Sequence, residues 1–421
     1  MKSDGTNLSR NFEKRPLWFT LMNSSWKATY FLGSKIKLDK DELIRSAKKA
    51  TGLDDLGKDF SDEPLEKLLR SVNGEADLHP VGRFITRQRF ISLLSIRLRA
   101  EYFFSRHPEI LEQPLYPAWI IIGLQRTGTT KLLRLLAADP DHRVIPSWEV
   151  INPIPLTLDV KARDKRIAVA KTSVRALKLM SPGFFAIHPI DIYEPEEDIL
   201  LLDVSFLSTT PEAMMHVPSY ADWLEKTDQS PAYIYAVKLL KFMQWKKPAK
   251  RWVLKTPHHL EFPDLIEKHF GEVRYLWPHR RIYESVPSFL SMVTYNHMIF
   301  SDHVDEKRIA SHWVRKTGYM LDKALDYRAK DNNPARFTDI YYDDLIHNSE
   351  KELSRIYSSD GGLTSELITR FGIHEQDHPP RKYGTHHYSL ADFGLTETDI
   401  DKHTSRYQKF ISEHYGRKSR V

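Results

Sequence analysis

The stretch from Trp119 to Asp139 constrains this chain more than any other. Trp119–Ile122 is an unbroken apolar run that reads as a buried strand, and Leu132, Leu133, Leu135 and Leu136 mark the buried face of an amphipathic helix. Between them, Gly123 and Gly128 permit a tight backbone path, and Thr129 and Thr130 place hydroxyls at the helix start. A helix N-terminus carries roughly half a positive charge beside amide groups that have no acceptor within the helix. The unit is therefore a socket for an anion.

Its spacing nearly fits the phosphate-loop pattern G-x-x-x-x-G-K-[ST] of nucleotide triphosphatases, but Thr129 stands where the phosphate-gripping lysine belongs. A basic side chain comes instead from inside the loop, at Arg126. Charge thus reaches the anion from a different place than in an ATPase, which argues against ATP as the ligand. Arg126-Thr127-Gly128-Thr129-Thr130 resembles the 5′-phosphosulfate loop of the PAPS-dependent sulfotransferases, which has a Lys or Arg, a small residue and then Gly-Thr-Thr at a strand-to-helix turn.

Four further segments carry the same resemblance. The strand-like run from Arg274 to Arg280 ends in basic residues, and Ser288 lies eight positions beyond Arg280. In the family an Arg and a Ser at this separation grip the 3′-phosphate, and a doubly charged phosphate suits a guanidinium fork plus a hydroxyl. The family's His-Arg-Asp-Pro is here His279-Arg280-Arg281-Ile282, so the match weakens at the turn but not at the ligands. Trp252–Leu260 is similar to the family's Lys-x-Pro-x-His-Leu, with Lys255, Pro257, His258 and His259. Ile340–Leu345 resembles its Tyr-x-Asp-Leu, where the Tyr, here Tyr342, approaches the adenine. Arg381, Lys382 and Gly384 fall in a segment similar to the basic loop that closes over the 3′-phosphate, and Asp392-Phe393-Gly394-Leu395 follows as in bacterial-type members.

The resemblance implies an α/β fold: a three-layer, P-loop-like arrangement with a central parallel sheet between helices. It also implies 3′-phosphoadenosine 5′-phosphosulfate (PAPS) as donor and the 3′,5′-bisphosphate (PAP) as product. Sulfuryl transfer needs cations at the leaving and bridging oxygens and a base for the acceptor proton. Arg126 and Lys255 are the candidate cations. For the base, Glu149 leads His259 and His258: it resembles the Trp-Glu or Pro-Glu-Glu of bacterial members, whose Glu acts as base, and flanking by Trp148 and Val150 would desolvate the carboxyl and raise its pKa, while His259 lies near Lys255, where animal-type members use a His. The bland reading of Glu149 is a salt bridge to a loop Arg such as Arg143. Glu194, Glu196, Glu197 and Asp198 form another acidic group, read as a further base candidate or, more simply, as charges favoured at a helix N-terminus. No His, Asp and Glu cluster has metal-ligand spacing.

Organisation follows from periodicity. Residues 1–115 read as a helical cap or subdomain: Asp39 with Glu42 forms a capping arrangement, Gly52 ends that helix, and a longer helix runs from about Phe84 to Phe104. From 116 onward strands at 119–123, 251–255, 273–277 and 336–341 alternate with helices, which predicts a parallel sheet covered on both faces. Proline-punctuated helical sequence over about 161–247 is the expected acceptor-binding insertion. Its Phe184, Phe185, Ile187, Ile190, Ile192, Met214, Met215 and Trp223 suit an apolar pocket for a lipid-like, terpenoid or aromatic alcohol, or a helical core.

Composition closes off several classes. The chain of 421 residues has 62 basic and 56 acidic residues without a long basic run, so an anionic cofactor accounts for the charge and nucleic acid is not required. With no cysteine, disulfides and Cys-ligated metals are excluded, and cytoplasm is the expected compartment. No signal-peptide pattern and no membrane-spanning run is read. The aromatic stretch Pro16–Met22, with Trp26, Tyr30, Phe31 and Leu32, would either touch a lipid surface or dock on the core. The rival function is a P-loop kinase using ATP and magnesium, but it needs the missing lysine and an acidic magnesium ligand where this chain has Lys255.

Overall fold

The computed structural model describes residues 16–30, 35–159, 162–181, 190–245, 247–377 and 389–415. Among them, β1 (Ala118–Ile121), β2 (His142–Arg143), β3 (Arg251–Lys255), β4 (Val273–His279) and β5 (Phe337–Tyr341) form one sheet in the order β2-β3-β1-β4-β5. All pairings are parallel. Parallel neighbours must be joined by crossovers, so helices cover both faces and the strands are buried on both. The fold is the expected α/β sandwich of three layers.

Strand residues alternate between the two faces with a period of two. Trp119, Ile121, Val253, Leu276 and Ile340 meet Leu132, Leu133, Leu135 and Leu136 of the helix Thr129–Leu136 on one side. Ala118, Ile120, Trp252, Leu254, Tyr275 and Trp277 face the other side and join a larger core that reaches Leu43, Leu65, Phe90 and Phe103 of the N-terminal helices. That core continues through Tyr233 and Leu240 of the helix Ser230–Gln244.

The N-terminal helices start and stop on their own signals. Asp39 accepts a hydrogen bond from the Glu42 amide at 3.0 Å, and Gly52 at φ 69° closes the helix Lys40–Thr51. The long helix runs from Pro80 to Arg106 and so begins earlier than its apolar pattern indicates. His79 explains the difference: its Nδ1 accepts from the Gly82 amide at 2.9 Å, and Pro80 takes the first helical position, where no N–H is needed. The aromatic helix Leu17–Tyr30 divides between the two readings of its sequence. Phe19 is buried and Trp26 packs on Phe84 with ring centroids 5.7 Å apart, whereas Leu17, Trp18 and Leu21 stay exposed. Among the described residues no helix is long and apolar enough to cross a membrane.

β1 lies at the centre, and its Ile121 pairs with both Lys255 of β3 and Leu276 of β4. At the far edge His279 of β4 lies opposite Tyr341 of β5. The segments leaving these strands therefore emerge side by side at the carboxyl ends, where ligands of open parallel sheets bind.

Candidate active site at the strand ends

The loop after β1 is held in a shape few residues tolerate. Arg126 has φ 66° and Gly128 φ 90°, both in the left-handed region, and a side chain at Gly128 would put its Cβ 3.1 Å from Tyr342 Cδ2. A Cβ at Gly123 would lie 2.9 Å from the Pro278 carbonyl, so the loop also hugs the end of β4. Thr127 Oγ1 donates to the Leu124 carbonyl at 2.7 Å and staples the turn. The first bond of the helix Thr129–Leu136 runs from the Leu132 amide to Gly128, which leaves the amides of its first turn for a ligand.

Residues distant in sequence converge on this loop. Arg126 Nε donates to Ser288 Oγ at 2.9 Å, and Arg280 donates to the Arg126 carbonyl at 3.0 Å. The Arg280 guanidinium also stacks over the Tyr342 ring, 4.2 Å from its centroid. Arg126, Gly128, Arg280, Ser288 and Tyr342 thus form one cluster. Arg281 takes the N-cap position of the helix Ile282–Phe300 and makes no side-chain cap, so two cations stand beside the positive end of a helix. Glu284, 2.9 Å from Arg280 and 3.9 Å from Arg281, is their nearby counter-charge. Such a concentration suits an anion of more than one charge. The guanidiniums, hydroxyls, ring and helix start fit a ligand with a phosphate at each end of an adenosine. Arg381, Lys382 and Gly384 lie outside the described residues.

Lys255, 3% exposed, occupies the end of β3 and pairs with Glu197 Oε1 at 2.6 Å. Its amide donates to Asp198 Oδ1 at 2.8 Å, and Asp198 Oδ2 is 2.8 Å from His259 Nε2. His259 Nδ1 in turn meets the Tyr233 hydroxyl at 3.0 Å, so both ring nitrogens are engaged. His258 faces inward, with Nδ1 3.3 Å from Thr209 Oγ1. Burial, reinforced by His259 and Lys316, holds its pKa well below the ordinary imidazole value.

Glu149 is buried as its neighbours suggested, but its pKa moves the other way. Burial pushes the carboxyl up, yet Arg143 and Lys247 outweigh it and hold it below the ordinary value. Arg143 bonds Glu149 Oε2, and Lys247 Nζ lies 2.8 Å from Oε1. Arg143 pairs with Trp252 in the sheet, three residues and roughly 10 Å of strand back from Lys255. The acidic group does lead into a helix, with Asp198 at the N-cap of Ile199–Leu202, but its side chains are engaged elsewhere. Glu194 pairs with Arg134 at 3.0 Å, Glu197 with Lys255, and Asp198 with His259, without a side-chain cap on the short helix Ile199–Leu202. The contact of Glu197 and Asp198 with Lys255 spans 57 residues or more, and no local pattern announces it.

Of the expected apolar pocket, Met215 belongs to the large core, and Ile190, Met214 and Trp223 pack against it. Ile192 is buried. Phe184, Phe185 and Ile187 lie outside the described residues, as do Phe31 and Leu32.

Known proteins share both the sequence pattern and the architecture. The model of the Sulfotransferase family matches residues 117–361. Omega-hydroxy-beta-dihydromenaquinone-9 sulfotransferase Stf3 of Mycobacterium bovis and that of Mycobacterium tuberculosis are each 25% identical over 315 residues, covering 71% of this chain and 73% of theirs. The crystal structure of sulfotransferase STF1 from Mycobacterium tuberculosis H37Rv is similar with a TM-score of 0.76 and 29% identity, over 88% of this chain and 100% of that one. Sulfotransferase STF9 from Mycobacterium avium shares the fold with a TM-score of 0.79 at 24% identity, over 90% and 98%.

Proposed function

Since the chain belongs to the Sulfotransferase family, we propose that it uses PAPS to sulfate the hydroxyl of a small apolar acceptor. One observation carries this reading: Arg126, Arg280, Ser288 and Tyr342, from segments after β1, β4 and β5, meet at a phosphate loop that lacks the phosphate-gripping lysine. In this reading Arg280 and Ser288 hold the 3′-phosphate, Tyr342 lies against the adenine, and Thr127, Gly128, Thr129 and Thr130 cradle the 5′-phosphate with their amides and hydroxyls. When bound, PAPS supplies an activated sulfuryl group. Arg126 and Lys255 then neutralise charge that develops on the departing phosphate oxygens, and their fixed positions remove the need for reorganisation at the moment of transfer.

Stf3 is named for a hydroxylated menaquinone, which favours a lipid-like acceptor for this relative as well. The insertion over 161–247 and the helices before β1 are the parts of the chain left to shape that side of the site. The exposed Leu17, Trp18 and Leu21 suit contact with the lipid surface from which such an acceptor would come, and the absence of cysteine suits the cytoplasm. A kinase reading is disfavoured by Thr129 in the lysine position and by Lys255 where an acidic magnesium ligand would stand.

Calorimetric titration with PAP, and separately with ATP and magnesium, tests the proposal. Wild type should bind PAP and not ATP, and Arg280→Ala with Ser288→Ala should weaken PAP on the order of a hundredfold, the loss of one charged fork and one hydrogen bond. Preference for ATP, or PAP binding indifferent to the double substitution, would overturn it.

A further inference from the structure

The helix Arg166–Met180 and its approach carry one sign of charge. Arg163, Lys165, Arg166, Lys171, Arg175 and Lys178 stand against Asp164 alone, and Asp164 is spent on Arg166, 2.7 Å from its guanidinium. Arg166 also donates to the Asn152 carbonyl at 3.1 Å and lies 4.8 Å from the centre of the Trp148 ring. These contacts fasten the helix start to the short helix Ser147–Ile151 after β2. Ala170 is buried and Leu177 packs against the large core, which fixes the face turned inward.

Successive residues turn by about 100° around a helix, so the outward surface sorts by spacing. Lys171, Arg175 and Lys178, at i, i+4 and i+7, form one stripe. Val169, Thr172, Ala176 and Leu179, at i, i+3, i+7 and i+10, form the stripe beside it. All of these residues are exposed, Val169 to 41% and Leu179 to 66%. Thr172 turns its hydroxyl back to the Ala168 carbonyl at 3.0 Å, so it adds a methyl group to the apolar stripe. Among the described residues no carboxylate pairs with Lys171, Arg175 or Lys178. Lys171 Nζ instead stands 5.4 Å from the centre of the Tyr193 ring, itself 57% exposed.

Cations without counter-charges beside an exposed apolar stripe make an interfacial helix. The aliphatic side chains enter the acyl boundary, the cations meet anionic headgroups, and a tyrosine ring suits the level between them. Nucleic acid would use the cations alone and leave Val169 and Leu179 in water. The apolar patch at Leu17, Trp18 and Leu21 lacks this pairing, since the cation on its helix, Lys27, is bound to Asp302 at 2.6 Å.

We propose that the helix Arg166–Met180 docks the protein on an anionic lipid bilayer, lying in the membrane surface with its basic and apolar stripes turned to the headgroups. The helix stands at the β2 edge of the sheet, whereas the groups assigned to the nucleotide leave β1, β4 and β5. Docking there opens the acceptor side of the site to the leaflet. That consequence rests on the lipid-like acceptor proposed above; the docking itself does not.

The test is sedimentation with phosphatidylcholine vesicles, with and without about a third of phosphatidylglycerol. Wild type should bind the anionic vesicles and release them at high salt. Lys171→Gln with Arg175→Gln and Lys178→Gln should weaken binding about a hundredfold, roughly fivefold for each cation. Val169→Ser with Leu179→Ser should weaken it about tenfold although the charge is untouched. The substituted side chains are exposed, so both variants should keep the wild-type urea midpoint and PAP affinity, which separates lost docking from lost fold. PAPS turnover of farnesol embedded in the same vesicles should fall in step with binding. No binding to anionic vesicles, equal binding to phosphatidylcholine alone, indifference to the triple substitution, or preference for a DNA duplex would each overturn the proposal. A wild type that docks yet sulfates no embedded farnesol would count against the lipid-like acceptor and leave the docking surface standing.

Discussion

Burial alone would raise the pKa of Glu149, which is 1% exposed, by favouring its neutral form. Arg143 and Lys247 reverse the sign and make the carboxylate an anchor between β2, its following helix and the approach to β3. Glu149→Gln keeps the shape but leaves the largely buried Arg143 without its counter-charge. Lys247 is half exposed and recovers its hydration, so the expected loss is about 2 kcal/mol, below the usual range for breaking a fully buried pair. It should appear as a lower urea midpoint at neutral pH with an unchanged slope. Because the folded pKa is depressed, this stabilisation is fully present above the unfolded value near about 4.3 and is lost as pH falls through the lower folded one. The two proteins should therefore converge in acid, and equal midpoints at neutral pH would show that the pair contributes nothing net.

Among the elements, the shape of the turn after β1 was legible in the sequence because everything that sets it is local: an apolar strand, two glycines, two threonines and a leucine face within one stretch of chain. The partners across the sheet were partly legible. Arg280 and Ser288 lie on one strand-to-helix unit, and their spacing survives as a pattern, whereas the pairing of Lys255 with Glu197 depends on a crossover and leaves no periodic trace. β2 has only two residues, too few for any alternation to show. The conformation of Gly128 ties the loop to the segment after β5, and this can be measured. Gly128→Ala meets both the left-handed backbone penalty of roughly 1–2 kcal/mol and the Tyr342 ring, which must give way by a few tenths of an ångström. Displacing that ring also disturbs its stack on Arg280. The variant should lose stability by that amount and bind PAP at least about tenfold more weakly, since several phosphate contacts move together. A folded Gly128→Ala with native affinity would separate the loop's shape from cofactor binding.

Over the whole molecule, buried titratable groups oppose one another across the neutral range. His142, His258, His279 and His297 are all buried, and burial holds each below the ordinary imidazole value, His297 at about 4. The unfolded chain takes up those protons near pH about 6.5, before the native state does, so acidification below that point destabilises the fold. Glu261 works in reverse. Burial raises it to about 7, with the Glu212 charge adding to it, against the pull of Lys316, whose ammonium lies 3.1 Å from Glu261. A carboxyl protonated in the native state and ionised in the unfolded one stabilises at low pH, and that contribution is lost as pH rises through about 7. Four imidazoles against one carboxyl leave a net loss on acidification, so melting temperature should fall as pH drops below about 6.5 and level off above about 7. His297→Asn can still donate to the Glu212 carbonyl that His297 Nε2 meets at 3.0 Å, and should flatten the acid limb. Glu261→Gln removes the opposing contribution, which falls away between pH about 4.3 and about 7, and should steepen the acid limb over that range while leaving the region above pH about 7 unchanged. An acid limb unchanged in Glu261→Gln would mean that Lys316 keeps Glu261 ionised in the fold.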